Sequence, residues 1–306
     1  MKASIIVCTR NRAESLRLVL ESICREVTAS PLKPELLVID NGSTDHTRAV
    51  VGAASVNCEA VRYLHEPRRG QTFARNTGLE CARGEAILFT DDDVRVPEGW
   101  IDAMCRPILG GDLDAAGGNV RLAEALMRPW LTPIMKTWMV SGSPPVGDLW
   151  GANMVFHRKV LSLVRGFDTQ LGPGALGFGD DTLFAKQLVG AGFKLGTLDV
   201  EVEHHPDPSR LTETDLVRAA VARGQSAAYC AYHWDHKPER FTRSRELMLR
   251  ARRAIRQGCG ASFIHGTSVT CKSIAACKVL NGFIPSATCR VPIVDFPVCR
   301  RITNRG

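Results

Sequence analysis

Short apolar segments alternate with helix-like segments over the first part of the chain, and no other sequence feature restricts the fold as strongly. The predicted strands are 4–8, 35–40, 61–64 and 85–90. The predicted helices are 13–27, one capped by Ser43-Thr44-Asp45 that runs to about residue 54, and 71–82. This order predicts an α/β fold in which helices cover both faces of a Rossmann-like, mostly parallel central sheet.

Polar and ionisable residues follow each predicted strand. In parallel sheets, ligands bind beyond the carboxyl ends of the strands. The four strand ends are Thr9-Arg10-Asn11-Arg12, Asp40-Asn41-Gly42-Ser43, Glu66 with Arg68-Arg69-Gly70, and Asp91-Asp92-Asp93. The fold would gather these residues at one edge of the sheet, so they predict a ligand-binding crevice there.

Asp91-Asp92-Asp93 places consecutive carboxylates after an apolar strand, and their repulsion must be offset by a cation or by several hydrogen-bond donors. Oxygen ligands suit Mg²⁺ or Mn²⁺, which proteins commonly bind through one or two carboxylates together with substrate phosphates. A solvated turn before Pro97 would use the same residue types. These residues alone leave both interpretations open.

The composition places the chain among globular proteins. With 306 residues, 44% of them hydrophobic, the chain can bury a substantial core. It has no apolar run long enough to span a membrane, and its first residues do not resemble a secretion signal. We therefore expect a cytoplasmic protein. The eleven cysteines are scattered, which fits reduced thiols in such a compartment.

Basic residues are concentrated in 240–256, which contains seven arginines and one glutamate in a chain of formal net charge +7. A solvated C-terminal helix explains this segment, and so does peripheral attachment to the anionic inner face of the cytoplasmic membrane. Residues 236–306 are predicted to form this basic helix and a loosely ordered tail that contains cysteines. No nucleic-acid-binding motif accompanies the charge, so nucleic acid is not an expected partner.

Less regular elements follow in the second half of the chain. We predict a helix over 100–108 and strands near 115–120 and over 149–156. Gly166-Phe167-Asp168 comes next, and Gly179-Asp180-Asp181 opens a helix that reaches about residue 189.

Taken in order, these motifs resemble a family 2 glycosyltransferase of the GT-A fold over about residues 3–235. The matching pieces are Ile-Ile-Val-Cys-Thr-Arg-Asn-Arg at 5–12, Val-Ile-Asp-Asn-Gly-Ser-Thr-Asp at 38–45, Gly70 with Ala-Arg-Asn-Thr-Gly at 74–78, Phe-Thr-Asp-Asp-Asp at 89–93, Gly-Phe-Asp at 166–168 and Gly-Asp-Asp at 179–181. Each piece is weak alone, and their order and spacing together make the match specific.

The resemblance implies the activity and the division of the chain. Residues 1–95 would be the nucleotide-sugar-binding half of a GT-A domain and 96–235 the acceptor-binding half. Residues 236–306 lie beyond the resemblance and form the helical C-terminal extension predicted from their charge pattern. The reaction would be metal-dependent, inverting transfer from a nucleoside diphosphate sugar to an acceptor hydroxyl. UDP is the expected nucleotide, with GDP and dTDP left open. The acceptor would be a glycan, a lipid-linked sugar or a small molecule, and the oligomeric state is not predicted.

The resemblance also implies roles for the residues at the strand ends. Asp40 would accept a hydrogen bond from the base, and Asp91 would bind the ribose or the metal. Asp93 would coordinate Mn²⁺ or Mg²⁺, and Asp92 is the alternative metal ligand. The remaining expected donor-side residues are Thr9, Arg10 and Arg12 in the base pocket, Arg75 at base or phosphate, and Arg210 near the phosphates. One histidine of the pair His204 and His205 would lie near the metal or diphosphate, with His205 the expected one.

On the acceptor side, the resemblance implies a catalytic base at the start of the last motif. Asp181 is the expected base and Asp180 the alternative, because this chain has Asp-Asp where similar enzymes have Glu-Asp. Trp150 and Asn153 are expected to face the acceptor, Trp150 by stacking on a sugar ring.

Two other functions use similar residue types. A sugar-phosphate nucleotidyltransferase also joins a nucleotide-binding sheet to acidic metal ligands, but it usually needs a glycine-rich loop after the first strand, and Thr9-Arg10-Asn11-Arg12 has no glycine. A non-catalytic nucleotide-sugar-binding protein could retain the same fold.

Overall fold

The structure is a computed structural model that describes residues 2–129, 131, 136 and 141–236. The basic segment 240–256 and the predicted tail after it lie outside the described residues. In the part of the chain that is described, no helix has both the length and the apolar character that crossing a lipid bilayer requires.

The described residues contain eight strands, and they contain six helices that are each at least ten residues long. The strands are β1 Ala3–Thr9, β2 Glu35–Asp40, β3 Val61–His65, β4 Ala86–Asp91, β5 Val94–Arg95, β6 Ala115–Leu122, β7 Met154–His157 and β8 Leu195–His204. The helices are α1 Ala13–Ala29, α2 Thr47–Asn57, α3 Gln71–Cys81, α4 Trp100–Leu109, α5 Asp180–Gly190 and α6 Glu213–His233. Short 3₁₀ helices occur at Glu124–Leu126, Arg158–Ser162 and Pro208–Arg210.

All eight strands form one sheet in the order β3-β2-β1-β4-β7-β6-β8-β5. The first four strands in this order are parallel to one another, β7 is antiparallel to both of its neighbours, and β6 is parallel to β8. This confirms the predicted α/β fold with a mixed, Rossmann-like sheet. Strand order reverses between β1 and β4, and a crevice for ligands forms at such a switch point.

Helices pack on both faces of the sheet because the central strands are apolar on both sides. Ile5 and Val7 of β1 lie in one buried cluster with Leu16 of α1, while Ile6 lies in a second cluster with Phe184 of α5. Fully burying a side chain of this size stabilises the folded state by about 1.5–3 kcal/mol. The two clusters hold the sheet rigid, so its carboxyl edge is a fixed platform for polar residues.

Three local predictions differ from the structure. Helix α2 begins at Thr47, where the Asp45 carboxylate accepts a hydrogen bond from the Thr47 amide. The strand predicted over 149–156 is limited to Met154–His157, because the chain before it turns, with the Asn153 amide donating to the Trp150 carbonyl. Strands β5 and β8 were not predicted.

Candidate active site

The loops that follow β1 and β2 are tied together at the carboxyl edge of the sheet. Asn11 adopts a left-handed backbone with φ of 52°, and its side-chain oxygen accepts from the Thr44 amide at 2.7 Å. The Asn41 amide group donates to the carbonyl of Arg68 at 2.6 Å and accepts from the Gly70 amide at 2.9 Å. These bonds fix the loops around the crevice before any ligand binds.

Asp92 and Asp93 share one cation. Arg12 Nη1 lies 2.8 Å from Asp92 Oδ1 and 2.8 Å from Asp93 Oδ2, and the Thr9 hydroxyl donates to Asp92 Oδ2 at 2.8 Å. Asp92 and Asp93 are 6% and 3% exposed, which is possible for carboxylates only when such partners are present. The solvated-turn interpretation of this cluster is therefore wrong.

The three acids have different proton affinities. Burial raises the pKa of Asp91, although the Arg75 charge opposes that rise. Burial likewise raises the pKa of Asp92, to about 6, against the opposing charge of Arg12. Burial acts on Asp93 in the same direction, but the hydrogen bond and charge of His204, together with Arg12, hold its pKa well below the usual range. Asp93 is thus the most strongly ionised member of the cluster.

His204, and not His205, has its ring against the acidic cluster. His204 Nε2 lies 3.2 Å from Asp93 Oδ1, and both side chains are buried. The ring of His205 faces Glu203 at 2.6 Å, and only its backbone amide reaches the Asp93 carbonyl. The expectation for His205 is wrong because its ring contacts Glu203, two residues earlier on the same side of the extended chain, while His204 faces the opposite side, towards Asp93. Arg210 Nη1 is 3.9 Å from Asp93 Oδ2, at the edge of this group.

The donor atoms here fit a divalent ion that substrate phosphates complete. Two ligands about 2.1 Å from an octahedral ion lie about 3 Å apart, which matches the 3.2 Å between Asp93 Oδ1 and His204 Nε2. Among the described residues, no three His, Cys, Asp or Glu side chains are grouped to hold a metal ion. Asp93 and His204 would supply two ligands, a number that is common for Mg²⁺ bound with phosphates.

Asp40 lies at the end of β2 with both carboxylate oxygens engaged. Oδ1 accepts from the Ser43 amide at 2.8 Å, and Oδ2 accepts from the Tyr63 hydroxyl at 2.8 Å. Burial and this hydrogen bond raise the pKa of Tyr63 to about 12. Tyr63 was not predicted, because its approach to Asp40 depends on the pairing of β2 with β3. Arg10 follows β1 directly and is partly exposed.

Arg75 is more deeply placed than the sequence suggested. It is 4% exposed, its Nη1 lies 2.5 Å from Asp180 Oδ2, and its Nη2 lies 3.5 Å from Asp91 Oδ1. The expectation that Arg75 approaches the base or phosphate is therefore not met in this structure. One guanidinium instead joins the donor-side acid of β4 to the first residue of α5.

Asp180 and Asp181 have different surroundings although they are adjacent. Asp180 is 4% exposed, and burial raises its pKa to about 6 while Arg75 opposes the rise. Asp181 is partly exposed, and its Oδ2 accepts from the Gly151 amide at 2.9 Å. Of the two, Asp181 is the carboxylate that a bound molecule could reach.

Trp150 and Asn153, the two residues expected at the acceptor, differ in burial. Trp150 is partly buried and packs against the hydrophobic core, next in the chain to Gly151, whose amide donates to Asp181. Asn153 is fully buried; its Oδ1 accepts from the Trp100 indole at 2.9 Å, and its Nδ2 donates to the carbonyls of Asn119 and Val200. The expectation that Asn153 faces the acceptor is wrong, because its amide is used to join strands.

Acids and cations collect beyond the paired carboxyl ends of β1 and β4. The mixed α/β sheet that carries them has the fold of GT-A-type glycosyltransferases. The chain belongs to glycosyl transferase family 2, whose family model matches residues 4–164.

Individual relatives agree with this assignment. A glucosyl-dolichyl phosphate glucuronosyltransferase of Haloferax volcanii is 27% identical over 183 residues, which is 56% of this chain and 58% of the relative. The chain thus matches less than two thirds of that relative's length.

Two solved structures share the fold. A mannosyltransferase from Pyrobaculum calidifontis, in complex with GDP-Man and Mn²⁺, superimposes with a TM-score of 0.60 and 22% identity, covering 91% of this chain and 75% of the other. Residues 1–349 of TarS from S. aureus, in complex with UDP-GlcNAc, give a TM-score of 0.52 and 17% identity, covering 74% and 66%.

Proposed function

We propose that this protein transfers a sugar from a nucleoside diphosphate donor, with UDP as the first candidate, to an acceptor hydroxyl with inversion at the anomeric carbon. The observation that carries the proposal is the meeting of two acidic groups in one crevice. Arg75 lies within 3.5 Å of Asp91, on the donor side, and within 2.5 Å of Asp180, at the start of α5. Direct displacement needs both a stabilised leaving group and a base, held close together.

The nucleoside would bind over the ends of β1 and β2. Asp40 would accept from an N–H group of the base, beside its existing bond to the Tyr63 hydroxyl. Thr9, Arg10 and Arg12 would line this pocket, and Asp91 would contact the ribose or the metal. Uracil and guanine both carry N–H donors, so this contact supports either nucleotide.

Asp93 and His204 would hold Mn²⁺ or Mg²⁺, with Asp91 or Asp92 completing the acidic side. The bound ion would neutralise negative charge on the departing diphosphate. Arg210, at 3.9 Å from Asp93, would add positive charge beside the phosphates. Arg12 holds Asp92 and Asp93 in fixed positions, which keeps their oxygens aligned for this task.

Asp181 would act as the general base. It would take the proton of the acceptor hydroxyl while the hydroxyl oxygen forms a bond to the anomeric carbon. The bond from that carbon to the diphosphate oxygen breaks, and its electron pair leaves with the nucleoside diphosphate. The contact with the Gly151 amide would keep Asp181 directed at the acceptor, and Trp150 would supply an apolar surface for a sugar ring.

The printed ligands of the structural neighbours define the donors to test. One neighbour binds GDP-Man with Mn²⁺ and another binds UDP-GlcNAc. A sequence relative is named for transfer to a glucosyl-dolichyl phosphate, which supports including lipid-linked acceptors.

The test is nucleoside diphosphate release from a panel of UDP- and GDP-sugars with Mn²⁺, with and without acceptors. Asp93→Ala and Asp181→Asn should each lower release by at least about 100-fold, because each removes a group that the reaction needs. Asp112→Asn, which changes an exposed acid after α4, should match the unaltered protein. Full activity in both site variants, or pyrophosphate formation from a sugar phosphate and a nucleoside triphosphate, would refute the proposal.

A further inference from the structure

Four elements of the fold meet at the guanidinium of Arg75. Its side chain comes from α3, Asp91 from the end of β4, Asp180 from the start of α5, and Gly151 from the loop before β7. The guanidinium carbon also lies 5.9 Å from the centre of the Phe89 ring and 5.4 Å from that of Phe167. The group therefore has charged partners at its ends and aromatic rings beside it.

We propose that Arg75 is a positioning residue, which sets the geometry of the donor-side acid Asp91 and of the α5 acids without itself contacting the donor. This inference rests on the proposed transfer activity and deepens it. Asp180 is then the anchor that receives the guanidinium, and Asp181 is the acid left to face the acceptor.

The burial of Arg75 argues against direct contact with a substrate. Only 4% of the residue is exposed, and its Nη1 already lies 2.5 Å from Asp180. Arginine keeps its charge even when buried, so the cost of removing it from water must be offset by its two carboxylates and by the ring faces. A buried pair of this kind adds little net stability compared with apolar residues, whereas it fixes orientation strongly.

Gly151 connects Arg75 to the candidate base. A Cβ atom built on Gly151 would lie 2.0 Å from Arg75 Nη2 and 2.7 Å from its guanidinium carbon. The amide of the same glycine donates to Asp181 Oδ2 at 2.9 Å. The backbone at Gly151 therefore packs on the guanidinium on one side and holds Asp181 on the other, so a shift of Arg75 is transmitted to the base.

The two consecutive acids make this coupling tight. Asp180 and Asp181 begin α5, after Gly179 in a left-handed conformation with φ of 84°. Fixing the Asp180 carboxylate on Arg75 restricts the first turn of the helix and, with it, the direction of Asp181. Loss of the guanidinium fork would loosen both acids and Asp91 together.

The experiment compares Arg75→Lys, Gly151→Ala and the double variant by kcat, donor KM and acceptor KM. Lysine keeps the charge but presents a single ammonium in place of the fork, and alanine at position 151 displaces the guanidinium while leaving every charge in place. Each single variant should lose about 100-fold in kcat, the scale expected for a small misplacement of reacting groups. Donor KM should rise by less than about 10-fold, because Asp91 is displaced but not removed.

The kcat of the double variant distinguishes displacement of the guanidinium from a general loss of packing. If Gly151→Ala acts only by moving the guanidinium, adding it to Arg75→Lys should cause no further loss in kcat, since both changes remove one interaction. Gly52→Ala, on α2 with no atom within 4 Å of the new Cβ, and Arg17→Lys, exposed on α1, are the matched controls and should behave as the unaltered protein.

Three outcomes would overturn the inference while the proposed function stands. The first is a donor KM raised 10-fold or more in Arg75→Lys with kcat retained, which would make Arg75 a donor contact. The second is an unchanged kcat in Gly151→Ala. The third is a loss of kcat in the double variant that equals the product of the two single losses. If Arg75→Lys does not fold, Gly151→Ala alone decides, by its kcat. An unaltered protein that neither binds nor turns over any nucleotide sugar would overturn the proposed function and this inference with it.

Discussion

Arg12 and Glu66 both illustrate how single residues balance charge around the crevice. Arg12 neutralises Asp92 and Asp93 at 2.8 Å from each, which is the cation that the sequence of three acids required. Glu66 follows β3 and is 3% exposed; its Oε1 accepts from the backbone amide and Nε of Arg68 at 2.8 Å each, and it also accepts from the Thr77 hydroxyl. These contacts join the loop after β3 to α3.

Glu66→Gln should change how stability depends on pH. Hydrogen bonds from Arg68, together with Thr77 and the Arg68 charge, hold the pKa of Glu66 at about 2 against the effect of burial. Because this pKa is depressed below its unfolded value of about 4.3, the contribution is fully present above that value and is lost as pH falls towards 2. We expect Glu66→Gln to lower the free energy of unfolding by about 2 kcal/mol at pH 7.

Urea unfolding at pH 7 and at pH 3 measures this effect. The difference between the unaltered protein and Glu66→Gln should shrink at pH 3, because Glu66 is then largely protonated in the unfolded state while it stays ionised in the native state, which lowers the stability of the unaltered protein. Glu59→Gln, at an exposed glutamate before β3, should show no difference at either pH. A difference for Glu66→Gln that is equal at both pH values would contradict the assigned role of the Glu66 charge.

At the scale of elements, α6 is attached to the rest of the chain through Asp168 of the Gly-Phe-Asp motif. Asp168 Oδ2 accepts from the Tyr229 hydroxyl at 2.9 Å and from the Trp234 indole at 3.1 Å. Tyr229→Phe should therefore lower the free energy of unfolding by about 1.5–3 kcal/mol, the usual range for a hydrogen bond to a charged group.

Amide hydrogen exchange locates the effect of Tyr229→Phe. Exchange should accelerate in α6 near residue 229 and stay unchanged in β1, because only the attachment of α6 is weakened. Tyr232→Phe on the same helix, at a side chain that is 66% exposed, is the control and should leave exchange unchanged. Equal effects from the two variants would show that the Asp168 contact does not hold α6.

Sequence predicted those elements whose local pattern of apolar and polar residues is regular. Strands β1, β2 and β4 are almost completely buried, and regular helices separate β1 to β4, so sequence alone located these four strands within a residue or two. Strand β8 was not predicted because polar residues such as Glu201 and Glu203 interrupt its apolar pattern. Only its pairing with β6 in the folded chain identifies it as a strand. Residues 149–153 turn, and Gly151 in this turn packs closely on Arg75, a contact that no local pattern encodes.

Within the candidate site, sequence located the strand-end acids better than their partners. The carboxyl ends of parallel strands converge in any such sheet, so grouping Asp40 with Asp91 needed only the order of elements. The choice between His204 and His205 needed the register of β8 against β6, in which Leu122 pairs with His204. The roles of Asn153 and Arg75 depended on burial, which is a property of the complete fold.

For the molecule as a whole, one sheet carries candidate site residues from distant parts of the chain. Strands β1 to β4 carry Thr9, Asp40 and Asp91, and β7 joins them to β6 and β8, where His204 ends its strand. His204 lies 3.2 Å from Asp93, so residues from both sides of position 95 meet at one edge of the sheet. This meeting is the basis for our proposal that donor and acceptor share one site.

The basic segment 240–256 supports a proposal about membrane attachment. Its seven arginines and one glutamate should attract anionic lipid, at about 1 kcal/mol for each cation near the surface. We expect the protein to sediment with vesicles rich in phosphatidylglycerol at about 0.05 M salt, where salt screens the attraction between arginine and lipid charges only weakly. At about 0.5 M salt the protein should be released from the vesicles.

A variant with the arginines of 240–256 replaced by glutamine is the matched comparison for this proposal. It should lose vesicle binding and keep nucleotide-sugar turnover with a water-soluble acceptor. Equal sedimentation of both proteins, or equal binding to phosphatidylcholine vesicles, would contradict electrostatic attachment through this segment.

Binding of a nucleotide sugar through Asp93 and a divalent ion is the central claim, and isothermal titration calorimetry tests it most directly. We expect UDP- or GDP-sugar to bind the unaltered protein with Mn²⁺ and to bind at least about 10-fold more weakly after chelation or in Asp93→Asn. Chelation removes the positive charge that faces the diphosphate, and Asp93→Asn removes a carboxylate that would hold the ion. Asp112→Asn should bind as the unaltered protein does. Equal affinity with and without Mn²⁺, or in Asp93→Asn, would contradict the account.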